Sequence, residues 1–141
     1  MIDILEAVRA FLLDQAGVRA VLDGGIYIGE LEGAEVPLMP RKAAVIVPAG
    51  GLDNQSYVPI GSPRVDIWCY GKLYSECSDV DLAICDALAS MRRTRQAVSS
   101  SFVLLQDAFY ASGPYTARDP DTGWPIVHRQ YTIHAAEIAA S

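Results

Sequence analysis

Apolar and polar residues alternate with a period of two from residue 64 to residue 70. Val65, Ile67 and Cys69 fall on one side of an extended chain, and Arg64, Asp66, Trp68 and Tyr70 on the other. Gly71 and Lys72 break the run, and the period then changes. Over residues 74–91, Cys77, Val80, Ile84, Leu88 and Met91 recur at spacings of three and four, which predicts one apolar stripe along a helix. Ser75 and Ser78 are candidate N-caps. Glu76, Asp79 and Asp81 place negative charge in the first turns, and Arg92, Arg93 and Arg95 place positive charge past the far end, both suited to the helix dipole. A strand leading directly into such a helix folds back on itself, so the stripe is expected to cover Val65, Ile67 and Cys69.

The same reading extends to the rest of the chain. Residues 2–15 predict an amphipathic helix through Ile4, Leu5, Val8, Phe11 and Leu12, with Asp3 as N-cap, Glu6 three residues on and Gly17 as its stop. One further turn over residues 18–22 ends at Asp23-Gly24-Gly25, and residues 26–28 predict a short strand. Residues 29–42 read as a loop with Pro37 and Pro40. Residues 43–47 are a nearly continuous apolar run, the pattern of a central strand, closed by Pro48. Residues 49–63, rich in glycine and proline, read as a long connection carrying Tyr57 at its tip. Residues 96–99 read as a link. Residues 100–111 then predict a strand with apolar residues on both sides, residues 112–121 a turn, and residues 124–136 a closing strand. In that last strand Val127, Arg129, Tyr131, Ile133 and Ala135 face one way, and Ile126, His128, Gln130, Thr132 and His134 the other. The two long strands are expected to pair as an antiparallel hairpin. The order is helix, three strands, helix, two strands. It predicts an α+β fold: a mostly antiparallel sheet of four to five strands with two helices packed on one face. The second face is left to loops or to partners, and an exposed face bearing Trp68 and Tyr70 would be an association surface.

Composition narrows the function classes. The 141 residues fit a single domain, 1–141, and at 51% hydrophobic and 20% charged they can bury a real core. The net charge of −6 and a pI of about 4.7 argue against sequence-independent binding to nucleic acid, which needs a basic face. No apolar run reaches the roughly 20 residues that span a bilayer, and Met1-Ile2-Asp3 lacks the basic start of a signal peptide. A cytoplasmic protein with no membrane partner is expected. Cys69, Cys77 and Cys85 are odd in number and form no CxxC pair, so they read as small buried hydrophobes.

The candidate chemical motifs dissolve on inspection. Asp121-Thr122-Gly123 has the letters of an aspartic protease but follows Asp119-Pro120 instead of an apolar strand, the composition of a turn. As a calcium loop the stretch places Gln130 where a bidentate Glu belongs. His128 and His134 are six residues apart on one strand, about 20 Å along it at about 3.3 Å per residue, so they cannot share a metal ion within a subunit. The glycines at 24, 25 and 29 precede and follow a strand and are no phosphate loop. The Arg92, Arg93 and Arg95 cluster reads as a solvated helix end, with a contact for an acidic partner surface as the alternative. No catalytic, cofactor or metal site is assembled. The competing class is a small hydrolase-like enzyme or ligand-binding protein using Cys69 or His128.

The organisation resembles that of phage tail terminator (tail completion) proteins. The resemblance lies in the N-terminal helix ending in Gly17-Val18-Arg19-Ala20-Val21-Leu22, then Gly25-Ile26-Tyr27, the apolar run from Ala43 and the strand Arg64-Val65-Asp66-Ile67-Trp68-Cys69-Tyr70. It continues through the Ser/Asp-rich helix start, Ile84-Cys85-Asp86-Ala87-Leu88, and the Asp119-Pro120-Asp121-Thr122-Gly123 turn before the closing strand. It implies a virion structural protein assembled in the host cytoplasm into a ring, usually a hexamer. The ring would cap the tail tube, stop its polymerisation and join the tail to the head connector. The implied partners are further copies of the chain, the tail tube protein and the connector protein. DNA would pass through the lumen without sequence-specific binding, where like charge disfavours adhesion. A head–tail connector and a tube subunit are neighbouring readings in this class. The partner interface is expected to draw on Tyr57, Arg64, Asp66, Trp68, Tyr70, Arg92, Arg93, Tyr115 and Trp124. Replacing Trp68 or Tyr57 by Ala is expected to impair assembly more than folding.

Overall fold

A computed structural model describes residues 2–52, 60–98 and 101–138. The chain runs α1 (Ile2–Asp14), α2 (Ala16–Val21), β1 (Ile26–Ile28), a 3-10 turn (Val36–Leu38), β2 (Ala43–Leu52), β3 (Ile60–Tyr70), α3 (Tyr74–Ser90), β4 (Thr94–Val98), β5 (Ser101–Arg118) and β6 (Pro125–Ile138). The strands form one six-stranded sheet in the order β1-β2-β3-β6-β5-β4. β1 pairs parallel to β2, and the other four pairings are antiparallel.

This corrects the expected antiparallel sheet of four to five strands with two helices: the sheet has six strands of mixed direction and curls into a half-barrel. The sixth strand is β4, in the stretch expected to be a link. Its sequence Thr-Arg-Gln-Ala-Val carries no apolar alternation because it is an edge strand, hydrogen-bonded on one side only. The parallel pair arises because residues 29–42 carry the chain back along the sheet before β2 begins, so β1 and β2 point the same way.

The strands also run further than their glycines and prolines suggest. β2 continues through Pro48 with a register shift between Pro48 and Gly51. Pro48 lies beyond the end of the short β1, so no ladder bond is asked of its missing N–H. β5 continues through Gly113 and Pro114 to Arg118, with irregularities between Leu105 and Asp107, Tyr110 and Ser112, and Ser112 and Tyr115. Past Leu105 it has lost β4 as a neighbour, and Pro114 falls in the irregularity between Ser112 and Tyr115, where the pairing with β6 is itself interrupted. Such bulges sharpen strand twist and bend. The curl is deep enough that α1 touches β1 at one edge and β4 at the other.

All three helices pack on one face. The α3 stripe of Val80, Ile84 and Leu88 meets Val65, Ile67 and Cys69 as the periodicity predicts, and Ile4, Val8, Phe11 and Leu12 of α1 and Val18 of α2 complete the same cluster. Three helix boundaries differ from expectation. α3 starts after Leu73, and Glu76 reaches back to accept a hydrogen bond from the Lys72 N–H, so neither Ser75 nor Ser78 is the cap. Asp3 lies inside α1, and Gly17 lies inside α2, whose N-cap is Gln15. The strand-to-helix turn is tight: a Cβ on Gly71 would sit 2.6 Å from the Glu76 Cβ and 2.9 Å from the Cys77 N.

One buried ion pair fastens α3 to β6. Arg129 donates from Nε and Nη2 to the two carboxylate oxygens of Asp81, at 3.2 and 2.7 Å, and from Nη1 to the Cys85 Sγ at 3.1 Å. The Tyr110 ring lies 4.9 Å from the same guanidinium. Removing one member of a buried pair strands the other charge, so Asp81→Ala should cost about 3–5 kcal/mol. Ile84, 1% exposed at the centre of the core, should cost about 2–5 kcal/mol as Ile84→Ala. Urea unfolding followed by circular dichroism measures both, and a loss under about 1 kcal/mol at either position would contradict the packing described.

Candidate interaction surface

The sheet face away from the helices divides into a covered end and an open end. At the covered end, Val45, Tyr70 and Ile126 form a second small core with Tyr27, Leu31, Met39, Val47, Trp68 and Trp124. The cover is the loop following β1 and the turn joining β5 to β6. Tyr70 meets Trp124 edge-on, with ring centroids 6.3 Å apart, and burial pushes its hydroxyl up to about 12.

The covering loop is pinned by Glu35, which is buried. Arg41 donates to its two oxygens at 2.8 and 2.7 Å and the Tyr27 hydroxyl donates at 3.0 Å. The Arg41 hydrogen bonds hold the Glu35 carboxyl below its ordinary value of 4.5, against the opposing effect of burial, and burial, followed by Glu35, raises the Tyr27 hydroxyl. The turn is held by Asp119, whose Oδ1 accepts from the N–H groups of Asp121 and Thr122 at 2.8 and 3.2 Å. Between loop and turn lies a cleft of about 530 Å³, lined by Glu30, Asp119, Asp121, Trp68, Tyr70 and Trp124 among others, with no lysine or arginine.

The open end is a surface of aromatic and imidazole rings. His128 on β6 lies between Trp68 and Tyr115, at centroid distances of 5.6 and 5.3 Å, and its Nδ1 is 3.1 Å from the Asp66 Oδ1. His134 repeats the arrangement with Asp107, at 2.8 Å, and with the Phe109 ring at 5.2 Å. Phe109 is 54% and Tyr115 48% exposed. Phe109, Asp107 and Tyr115 share this face because of the β5 bulges. Gln106 is an extra residue, so Leu105 faces the core and Asp107, opposite His134, faces away from it. Strict alternation over residues 100–111 predicts Leu105 and Asp107 on one side, and so misses the Asp107–His134 pair.

The sequence-predicted positions fall into three groups. Asp66, Trp68 and Tyr115 meet around His128, and Arg64 lies exposed on the same face of β3. Tyr70 and Trp124 belong to the cleft wall. Arg92 and Arg93 lie at the far edge, between α3 and β4, where Arg92 Nη1 donates to the carbonyls of Ala89 and Met91. Tyr57 lies outside the described residues. Sequence reasoning missed Phe109, Asp107 and Glu30.

The enzyme alternative finds little support in this geometry. Cys69 is buried beneath α3, and desolvation pushes its thiol well above the ordinary value, so it carries no reactive thiolate. Cys77 donates to the Pro125 carbonyl at 3.2 Å and is pushed up to about 11 by burial. His128 hydrogen-bonds Asp66, and no hydroxyl or thiol hydrogen-bonds it among the described residues.

Fold and surface together define a class: an α+β protein whose mixed sheet is sealed by helices on one face and presents rings, carboxylates and a cleft on the other. A chain of a solved structure described as "Virion of native gene transfer agent (GTA) particle" has this fold, with a TM-score of 0.58 over 98% of this chain and 96% of that one, at 11% identity. No family model matches the chain, and no curated protein matches it by sequence.

The Glu35 cluster makes the cleft wall sensitive to acid. A carboxyl whose folded-state value lies below its unfolded value contributes stability that is present above about pH 4.5 and is lost as the pH falls through the folded value. Melting temperatures between pH 7 and pH 3 should therefore fall more steeply for the wild type than for Glu35→Gln, which starts lower at neutral pH. Parallel curves would contradict the assignment.

Proposed function

We propose that this protein is a structural component of a phage-like virion and, within that class, a tail terminator. Copies of the chain form a ring, a hexamer by the resemblance in sequence organisation, that caps the tail tube, stops its polymerisation and meets the head connector. The protein would assemble in the host cytoplasm and reside in the tail or neck of the particle. DNA would pass through the ring without sequence-specific contact.

The observation that carries this reading is the open sheet face. Phe109 stands about half-exposed beside His134, and Tyr115 beside His128 and Trp68, and among the described residues no helix packs on this face. An exposed patch of rings on a protein of this size is the mark of an association surface. A closed ring repeats one contact around its axis, so modest interfaces add up. The fold shared with a chain of a gene transfer agent virion supports the virion assignment from a separate direction.

Two measurements test it. Sedimentation over a range of concentrations should give a mass several times 15.2 kDa, or a steep rise toward it. A chain that stays monomeric even with purified tail tubes would contradict the ring. The variants Phe109→Ala and Tyr115→Ala should keep folding stability within about 1 kcal/mol, because about half of each residue is already solvated and neither belongs to a core cluster. They should weaken assembly at least tenfold in concentration. Equal loss of stability and assembly would point to a folding role instead.

A further inference from the structure

An exposed group of arginines and a cleft lined by carboxylates lie toward opposite edges of the sheet. Past α3, Arg92, Arg93 and Arg95 stand exposed at the β4 edge within four residues, and none of the three pairs with a carboxylate among the described residues. In a chain of net charge −6 this concentration of positive charge is local and unbalanced. Arg93 is also held with φ at +43°, the one non-glycine residue at positive φ among the described residues. That region favours glycine or asparagine. The turn is fixed there by the Arg93 N–H, which donates to the Gln106 carbonyl at 3.0 Å. A long cation thus occupies a position where glycine would be the relaxed choice, as at sites where a side chain is kept for what it contacts.

Toward the opposite edge, near β1, lies the cleft bounded by Glu30, Asp119 and Asp121 and floored by Trp68, Tyr70 and Trp124. Carboxylates around aromatic faces, with no basic residue in the lining, suit a guanidinium. The acids supply charge-assisted hydrogen bonds and the rings supply cation–π contact.

We infer that neighbouring subunits join heterologously, with the arginine-bearing turn before β4 of one copy seated in the acidic, aromatic cleft of the next. This rests on the ring reading above and names the contact that builds the ring. Donor and acceptor lie toward opposite edges of one sheet, so the contact is head-to-tail and can close on itself only as a ring. A charge-driven contact of this kind weakens as salt rises.

Paired charge reversal tests the contact. One variant carries Arg92→Glu, Arg93→Glu and Arg95→Glu. The other carries Glu30→Lys and Asp121→Lys, leaving Asp119 to hold the turn. Each variant alone should sediment as a folded monomer at concentrations where the wild type is assembled, with its circular dichroism spectrum retained. An equimolar mixture should reassemble, because reversed edge then meets reversed cleft and native edge meets native cleft around an even-membered ring. Arg93→Gly should melt no lower than the wild type and still assemble more weakly, which a purely structural role for Arg93 would not produce. If both reversed variants assemble like the wild type, or if the mixture fails to restore what each has lost, this contact is overturned while the ring stands. A wild type that is monomeric at every concentration and salt, with or without tubes, overturns ring and contact together.

Discussion

Every strand in this protein has two faces, and the chain supplies helices for one of them. The packing of α3 on Val65, Ile67 and Cys69, with α1 and α2 alongside, removes one side of the sheet from water. The other side must be hidden by something else or remain wet. Part of it is hidden by a loop and a turn that build a second small core around Tyr70 and Ile126. The remainder stays open. The curl follows from the same constraint. A flat sheet of six strands would outrun three short helices, and the bulges in β2 and β5 bend it until α1 reaches both edges.

Buried charge serves to fasten elements to one another. The Asp81–Arg129 pair ties the central helix to the closing strand, and the Glu35–Arg41–Tyr27 cluster ties the covering loop to the first strand. Both use a guanidinium, whose fork matches a carboxylate at two points and keeps each partner satisfied away from water. The thiols play no such part. Cys69 and Cys77 are packed and protonated, in keeping with cysteine used as a small apolar side chain.

On the open face the polar groups are arranged in repeats. Asp66 with His128 and Asp107 with His134 each set an imidazole against an aromatic ring. These pairs satisfy polar atoms on the surface while leaving ring faces available for contact. The exposed arginines before β4 and the carboxylates of the cleft lie toward opposite edges of the same sheet.

The periodicities of β3, α3 and β6 were legible in the sequence because each of these elements has one dry face, and a dry face writes its spacing into the residue types. The three-residue strand Ile26–Ile28 was readable between its glycines for a similar reason. β4 was not, because an edge strand against solvent needs no apolar alternation. The sides of β5 were not, because an extra residue at Gln106 reverses the parity as far as Tyr110, further irregularities follow, and nothing in the letters marks where a bulge will fall. The direction of β1 was decided by the path of residues 29–42, a long-range matter of where the chain returns. Local pattern thus determined which segments are helix or central strand and which face of each is apolar. Strand order, curl, the Asp107–His134 pair and the cleft between loop and turn were decided only in three dimensions, since each depends on contacts between residues far apart in the chain whose register no local period encodes.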